Sequence, residues 1–234
     1  MRPFNPLFIL KVFIEVLPYL RVTVLMLAGS VFFGSLLGFI LARAKISGRK
    51  ISRFLADAYI GVMRCTPPIV LLFIVYYGLP ELLLSTAGVD INNMEKGIFV
   101  LVTCTLLYGA TLSEIMRSSY ESVDKGQWEA AVSIGLSPFQ AFYRIMLPQA
   151  TAVALPNMCN MLVNLMKDGA LAFTIGLVDI MGKGSLIISK NFGAYALETY
   201  IALALIYWML TLIIEKSFGF VEKSLSRGKR NLAE

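Results

Sequence analysis

Apolar positions in this chain are gathered into blocks rather than spread at amphipathic spacing. Uncharged runs cover residues 22–42, 65–79, 97–113, 145–166 and 199–214. A helix needs about 20 apolar residues to cross roughly 30 Å of hydrocarbon. The first and fourth runs reach that length outright, and the others reach it with flanking turns. The second is completed by extending back through 57–64, which carries Arg64 into or near the membrane. The pattern predicts an all-α membrane protein with a single transmembrane domain over 1–234. Its five spans are expected at about 20–42, 57–79, 96–117, 145–167 and 197–216.

Between the blocks the punctuation is informative. Pro3, Pro6 and Pro18 surround an apolar stretch in the first twenty residues. That suits a short interfacial helix leading into the first span better than another crossing. The first long run has span length and no small-residue cleavage site, so it is expected to stay in the mature protein. Gly29, Ser30, Gly34, Ser35 and Gly38 place small residues along the first span, where they allow close helix approach in lipid. Residues 81–95 contain Glu81, Asp90, Glu95, Gly88 and Asn92-Asn93 without Lys or Arg, as expected of a short external loop. The longest connection, about 118–148, contains an amphipathic segment over 127–135 followed by Ser137 and Pro138. It reads as a short helix, a turn and a second helix, with Gly135 and Pro138 ending the first.

Composition agrees with the pattern: 57% of residues are hydrophobic, 15% are charged, and the mean hydropathy is +0.73. Soluble domains carry roughly 25% charged residues. The net charge of +6 does not indicate nucleic acid, because the basic residues flank span ends instead of forming a basic domain. Thirteen of them fall on one side, after spans 1 and 5 and between spans 3 and 4, against six on the other. This imbalance places the C-terminus in the cytoplasm. Cys65, Cys104 and Cys159 lie in apolar runs at wide spacing and read as packing residues, not as a disulfide or zinc set. With no His, no nucleophile motif and no phosphate-binding Gly-Lys-Ser/Thr loop, the chain is not expected to be an enzyme or to hold a cofactor or metal.

The 118–148 connection contains Glu129-Ala130-Ala131, three residues, Gly135, nine residues, Ile145, one residue, and Leu147-Pro148. It matches at every fixed position the E-A-A loop of permease subunits of bacterial ABC importers, and the chain resembles that family. An acid followed by two small residues lets a short helix present a charge while fitting closely into a groove; without the family, an amphipathic helix resting on the membrane surface is the alternative. The resemblance implies a type I ABC importer permease fold in which this coupling helix docks in a cleft of an ATPase subunit. It implies a second permease copy or paralogue, two ATPase subunits that carry ATP and Mg, and an extracytoplasmic substrate-binding protein. Further stretches resemble the polar amino-acid branch: Arg64-Cys65-Thr66-Pro67 its Arg-Gly-Thr-Pro signature, Tyr76-Tyr77-Gly78-Leu79-Pro80 its span-2 ending, Glu114-Ile115-Met116-Arg117 its span-3 ending, and Lys167-Asp168-Gly169-Ala170-Leu171 its Lys-Asp-Thr-Ser-Leu block. Cys65 replaces Gly there, and Gly169-Ala170 replace Thr-Ser, which removes a hydroxyl pair. Cystine, glutamine, arginine and glutamate remain open as substrates, with the look of spans 4 and 5 pointing toward cystine.

A zwitterionic amino acid needs a donor for its carboxylate and an acceptor for its ammonium, both sheltered from lipid. Arg64, Lys167, Asp168 and Glu114 are the ionisable residues nearest the membrane interior, and each is costly there unless paired or wet. Arg64 and Asp168 are the first candidates for the substrate pathway, and a structural salt bridge between them is the competing explanation. Thr66 beside Pro67-Pro68 suggests a broken helix lining a cavity. Asn157, Asn160 and Asn164 share one helical face, expected to point into the protein. Lys167 has the alternative of reaching an interface with its long stem. Arg117, Glu121 and Asp124 are expected to form a solvated face. An oligomeric ion or osmolyte channel is the alternative function; it would need no ATPase partner.

Overall fold

The computed structural model describes residues 4–46 and 49–230, with side chains described through Ser224. Arg2 and Pro3, and the side chains of Arg227, Lys229 and Arg230, which enter the charge and turn arguments above, lie outside the described residues. Among the described residues the chain is helical, without strands. Helix α1, Pro6–Val16, is capped by the Asn5 side chain; a 3-10 turn containing Pro18 joins it to α2, Leu20–Ile46. Next come α3, Lys50–Cys65, α4, Pro68–Ala87, α5, Lys96–Glu121, and the short α6, Lys125–Ser133. Helix α7 runs Pro138–Ile175, α8 Ile180–Lys190, and α9 Ala196–Arg230.

The continuous α1–α2 run, α4, α5 and α9 are each long and apolar enough to cross a bilayer. Helices α7 and α8, bent by 47° across a short break, supply a fifth crossing as one broken span. The second crossing differs from the sequence expectation. Thr66 is extended (φ −90°, ψ 125°) and Pro67 lacks an N–H, so α3 stops at Cys65 and a new helix begins at Pro68. The apolar helix therefore runs 68–87, and 57–65 belong to the charged helix α3. Glu81 consequently sits inside α4, and the connection expected to be external shrinks to 88–95, opened by Gly88 at φ +68°.

The bundle is held where α2 packs along α5, and the small residues of α2 are the reason. Ser30, Gly34 and Gly38 are buried there, and a Cβ on Gly29 would stand 2.8 Å from Leu101. In return Gly109 of α5 leaves room for Leu37. Helices α4, α5 and α7 share the main apolar core around Leu71, Phe99, Tyr108, Leu112 and Leu165. Burying each such side chain contributes roughly 1.5–3 kcal/mol where it leaves water, and in lipid the gain comes from packing alone. Helix α1 is docked on α8 and α9: Val12 and Val16 pack against Ile180, Ile187 and Leu203, Phe8 stacks on Tyr195, and the Asn5 N–H donates to buried Glu198 at 2.9 Å. Cys104 and Cys159 are buried as expected of packing residues, but Cys65 is exposed, because it lies at the end of α3 rather than inside a span.

Candidate functional site

The 118–148 connection folds as a helix fixed at both ends. The Asp124 side chain accepts from the Gly126 N–H at 2.7 Å and caps the start of α6. Its end is a left-handed turn: Gly135 has φ +90°, and the Leu136 N–H returns to the Ala131 carbonyl at 3.2 Å. Pro138 does not end α6 but opens α7, behind a capping box in which Ser137 and Gln140 exchange hydrogen bonds. The reason is that proline at the first helical position sacrifices only an N–H that has no partner anyway.

Helix α6 has two faces. Ala131 is buried, and Trp128 packs with Tyr120, Val123, Phe142, Met146 and Ala150, which belong to the end of α5, the adjoining turn and the start of α7. Glu129, Ala130 and Gly135 are exposed, as are Val132 and Ile134. The E-A-A residues thus divide their work: Ala131 seats the helix, while Glu129 and Ala130 remain on its free side. Ile145 is half-buried in the π-turn 142–146 at the start of α7, and Leu147 and Pro148 follow it on the exposed side. Trp128 is thus the contact that joins α6 to the end of α5 and the start of α7.

The polar candidates gather around two irregularities that the fold brings side by side. The Pro68–Phe73 stretch of α4, just after the break at Thr66, packs against the 3-10 turn Ala170–Ile175 that follows Asp168. Thr66 bonds its own helix, donating to the Val62 carbonyl at 2.8 Å. Arg64 and Lys167 are exposed and Asp168 is half-buried. Among the described residues no ion pair joins Arg64 to Asp168, so the structural-bridge explanation does not hold within one chain. The asparagine face is also corrected: Asn157, Asn160 and Asn164 are exposed on the surface of the single subunit and do not point into its core. Side chains of this kind in a membrane segment require water or a partner surface, so the polar face is open on the isolated subunit.

Glu114 does not join Arg64 and Asp168. It is paired with Lys45 and, at 2.9 Å, with Arg117. Lys45, only 9% exposed, is also 2.6 Å from Asp57, and Arg117 bonds Glu121 as well. Arg117 and Glu121 are thus part of an ion cluster tying α2, α3 and α5 together, not merely a solvated face. Two further buried acids were not singled out from the sequence. Asp179, 3% exposed, caps α8 through the Gly182 N–H at 2.8 Å and accepts from Thr23 of α2; beside it lies a space of about 20 Å³ that Ser30, Cys104 and Gly169 also line. Glu198 receives α1. An acid immediately before an Ile-Met-Gly helix start was the one available hint for Asp179.

Helices that cross a membrane several times, a short helix capped at both ends with its Glu129 side exposed, and a polar face left open describe a transport permease. The chain belongs to the family of binding-protein-dependent transport system inner membrane components, which residues 12–227 match. It is 43% identical over 215 residues to the L-cystine transport system permease protein TcyL of Bacillus subtilis (strain 168), covering 92% of this chain and 88% of that one. The arginine transport system permease protein ArtQ of the same organism is 34% identical over 212 residues, covering 91% of each. Among solved structures, the crystal structure of an amino acid ABC transporter with histidines superposes with a TM-score of 0.77 and 29% identity, over 95% of this chain and 100% of that one. The protein is a multi-pass permease component of an amino-acid ABC importer with the type I permease fold.

Proposed function

We propose that this chain forms, with a second copy or a paralogue, the membrane pathway that imports L-cystine, driven by two ATPase subunits and supplied by an extracytoplasmic binding protein. ATP and Mg are held by the ATPase partner, and α6 and the C-terminus face the cytoplasm. The observation that carries this reading is the exposed Glu129 edge of a helix locked at both ends and seated through Trp128 on α5 and α7. Closure of the ATPases moves α6, and α7 passes the movement to Asn160, Asn164, Lys167 and Asp168 along its length. Cystine rather than another polar amino acid is supported by the relative TcyL, an L-cystine permease by name.

The open polar face supports pairing, since a second subunit would cover Asn157, Asn160 and Asn164 and enclose a wet pathway. Within it Arg64 is assigned to the substrate carboxylate and Asp168 to an ammonium, with Thr66 and Lys167 nearby. The test is uptake by vesicles holding the permease, the ATPase and the binding protein. ATP-dependent accumulation of labelled cystine, with little glutamine, arginine or glutamate, is the expected result. Accumulation of one of the others instead overturns the substrate, and ATP-independent conductance by the permease alone overturns the importer.

A further inference from the structure

We infer that the chain carries a binding site for an anionic phospholipid between α2, α5 and α7, on the side of the membrane where α6 lies. A groove of about 570 Å³ opens there, lined by Phe39 and Ile46 of α2, Met116 and Tyr120 of α5, and Leu147 and Met158 of α7. That volume lies within the range of roughly 300–1,000 Å³ of small-molecule sites, and the lining is mostly apolar, with Ser119 and Thr151 as small hydroxyl residues and a charge at one end. There Arg43, in the last turn of α2, belongs both to this groove and to a neighbouring cleft of about 450 Å³ that Arg49 also lines. The two spaces together have the shape of an amphiphile: an apolar slot running toward the membrane interior and a basic cleft where the helix reaches the interface.

Charge selects the occupant. Neither space is lined by an acidic residue. Two neighbouring cations are already engaged, Lys45 with Asp57 and Glu114, and Arg53 with Asp57 at 3.9 Å. Arg43 and Arg49 form no ion pair among the described residues and are exposed. Two guanidinium groups free of carboxylates are suited to a phosphodiester, which they bind in forked geometry, and basic pockets between helices on the cytoplasmic side are a recurrent lipid headgroup site. The groove face of α7, through Leu147, Ala150, Thr151, Ala154 and Met158, is about a quarter-turn away from its asparagine face, so lipid would not block the polar face. A lipid held here touches α5 and α7 next to Tyr120 and Phe142, the residues on which Trp128 of α6 is seated. The inference rests on the proposed orientation and on no other part of the function.

The experiment is native mass spectrometry of the whole transporter, permease with ATPase and binding protein, given phosphatidylglycerol or phosphatidylcholine with identical acyl chains. The wild-type complex is expected to retain phosphatidylglycerol at least tenfold better. Arg43→Gln with Arg49→Gln should abolish that preference, each arginine contributing roughly fivefold. Thr151→Phe, which fills the groove, should release both lipids while the subunits stay together. Equal retention of the two lipids by the wild type, an undiminished preference in the double arginine variant, or a protein segment of the assembled transporter seated in the groove overturns the site. Cystine uptake measured on the same preparations separates this failure from failure of the transport reading. Labelling of Arg43→Cys only from the external side would overturn the orientation on which the site depends.

Discussion

Lys45 and Glu114 form an ion pair that ties the last turn of α2 to the last third of α5. Because Lys45 is nearly buried and also holds Asp57 of α3 at 2.6 Å, three helices meet at one ammonium. Lys45→Met removes the shared cation and leaves two acids without it. Glu114 keeps Arg117, and Asp57 is 46% exposed to solvent. The expected loss is therefore about 1–3 kcal/mol, below that of a fully buried pair. It is read as a lower midpoint of thermal unfolding in detergent, and an unchanged midpoint would show that the cluster contributes no stability.

The glycines of this protein are not equivalent, and two of them predict opposite results. A Cβ on Gly34 would stand 2.5 Å from Cδ1 of Tyr108, whereas a Cβ on Gly61 meets nothing within 4 Å. Gly34→Ala should push α2 from α5 and cost about 1–3 kcal/mol. Gly61→Ala in α3 should be neutral or stabilise by roughly 0.5–1 kcal/mol, since alanine is the better helix former. Equal thermal midpoints in the two variants would mean that α2 and α5 are not packed as described.

These contrasts show why some features were legible in the sequence and others were not. The helix, turn and helix of the 118–148 connection were readable because their signals act through local backbone: Gly135 at a positive φ and Ser137-Pro138 at a helix start serve the same purpose in any tertiary setting. The small residues of α2 were readable for a similar reason, since close approach leaves a pattern on one helix. Lys45 looked like any basic residue after a span, and its role depends on Glu114, 69 positions away. Buried Asp179 accepts a hydrogen bond from Thr23, 156 positions away. The asparagine face was legible as a face, but its direction was not: periodicity shows that residues share a side and not which neighbour that side meets. The second span was misplaced because it was extended back through 57–64 to gain length, whereas the break at Thr66-Pro67 assigns those residues to a separate helix.

The docking loop yields a prediction with an internal control. Glu129→Lys reverses the charge on the exposed face of α6 without touching the packed face, so insertion and thermal stability should be kept while ATPase association and substrate-stimulated ATP hydrolysis are lost. At Gly135 the space is open but φ is +90°, so the cost is in the backbone: Gly135→Val should be severe and Gly135→Asn milder, by roughly 1–2 kcal/mol. Substrate affinity of the separate binding protein should not change in any of the three. Normal stimulated hydrolysis in Glu129→Lys would remove the coupling role from this loop.

The polar face gives the most exposed prediction, because Arg64 and Asp168 are not each other's partners in the single chain. If they served as scaffold, removing either should destabilise the protein. An exposed arginine in no ion pair among the described residues and a half-buried aspartate whose neighbour is exposed Lys167 give little stability to lose, so Arg64→Gln and Asp168→Asn should unfold within about 0.5 kcal/mol of the wild type. Uptake by the assembled transporter should nevertheless fall at least tenfold in each, with the ATPase still bound. Exchanging the charges, Arg64→Asp with Asp168→Arg, should not restore it, because a zwitterion entering in one orientation would meet like charges at both ends. Restored uptake in the exchanged pair would mean that the two side chains meet across the subunit pair and serve as a strut. A structure of the assembly with substrate bound more than one water from both would remove them from the site.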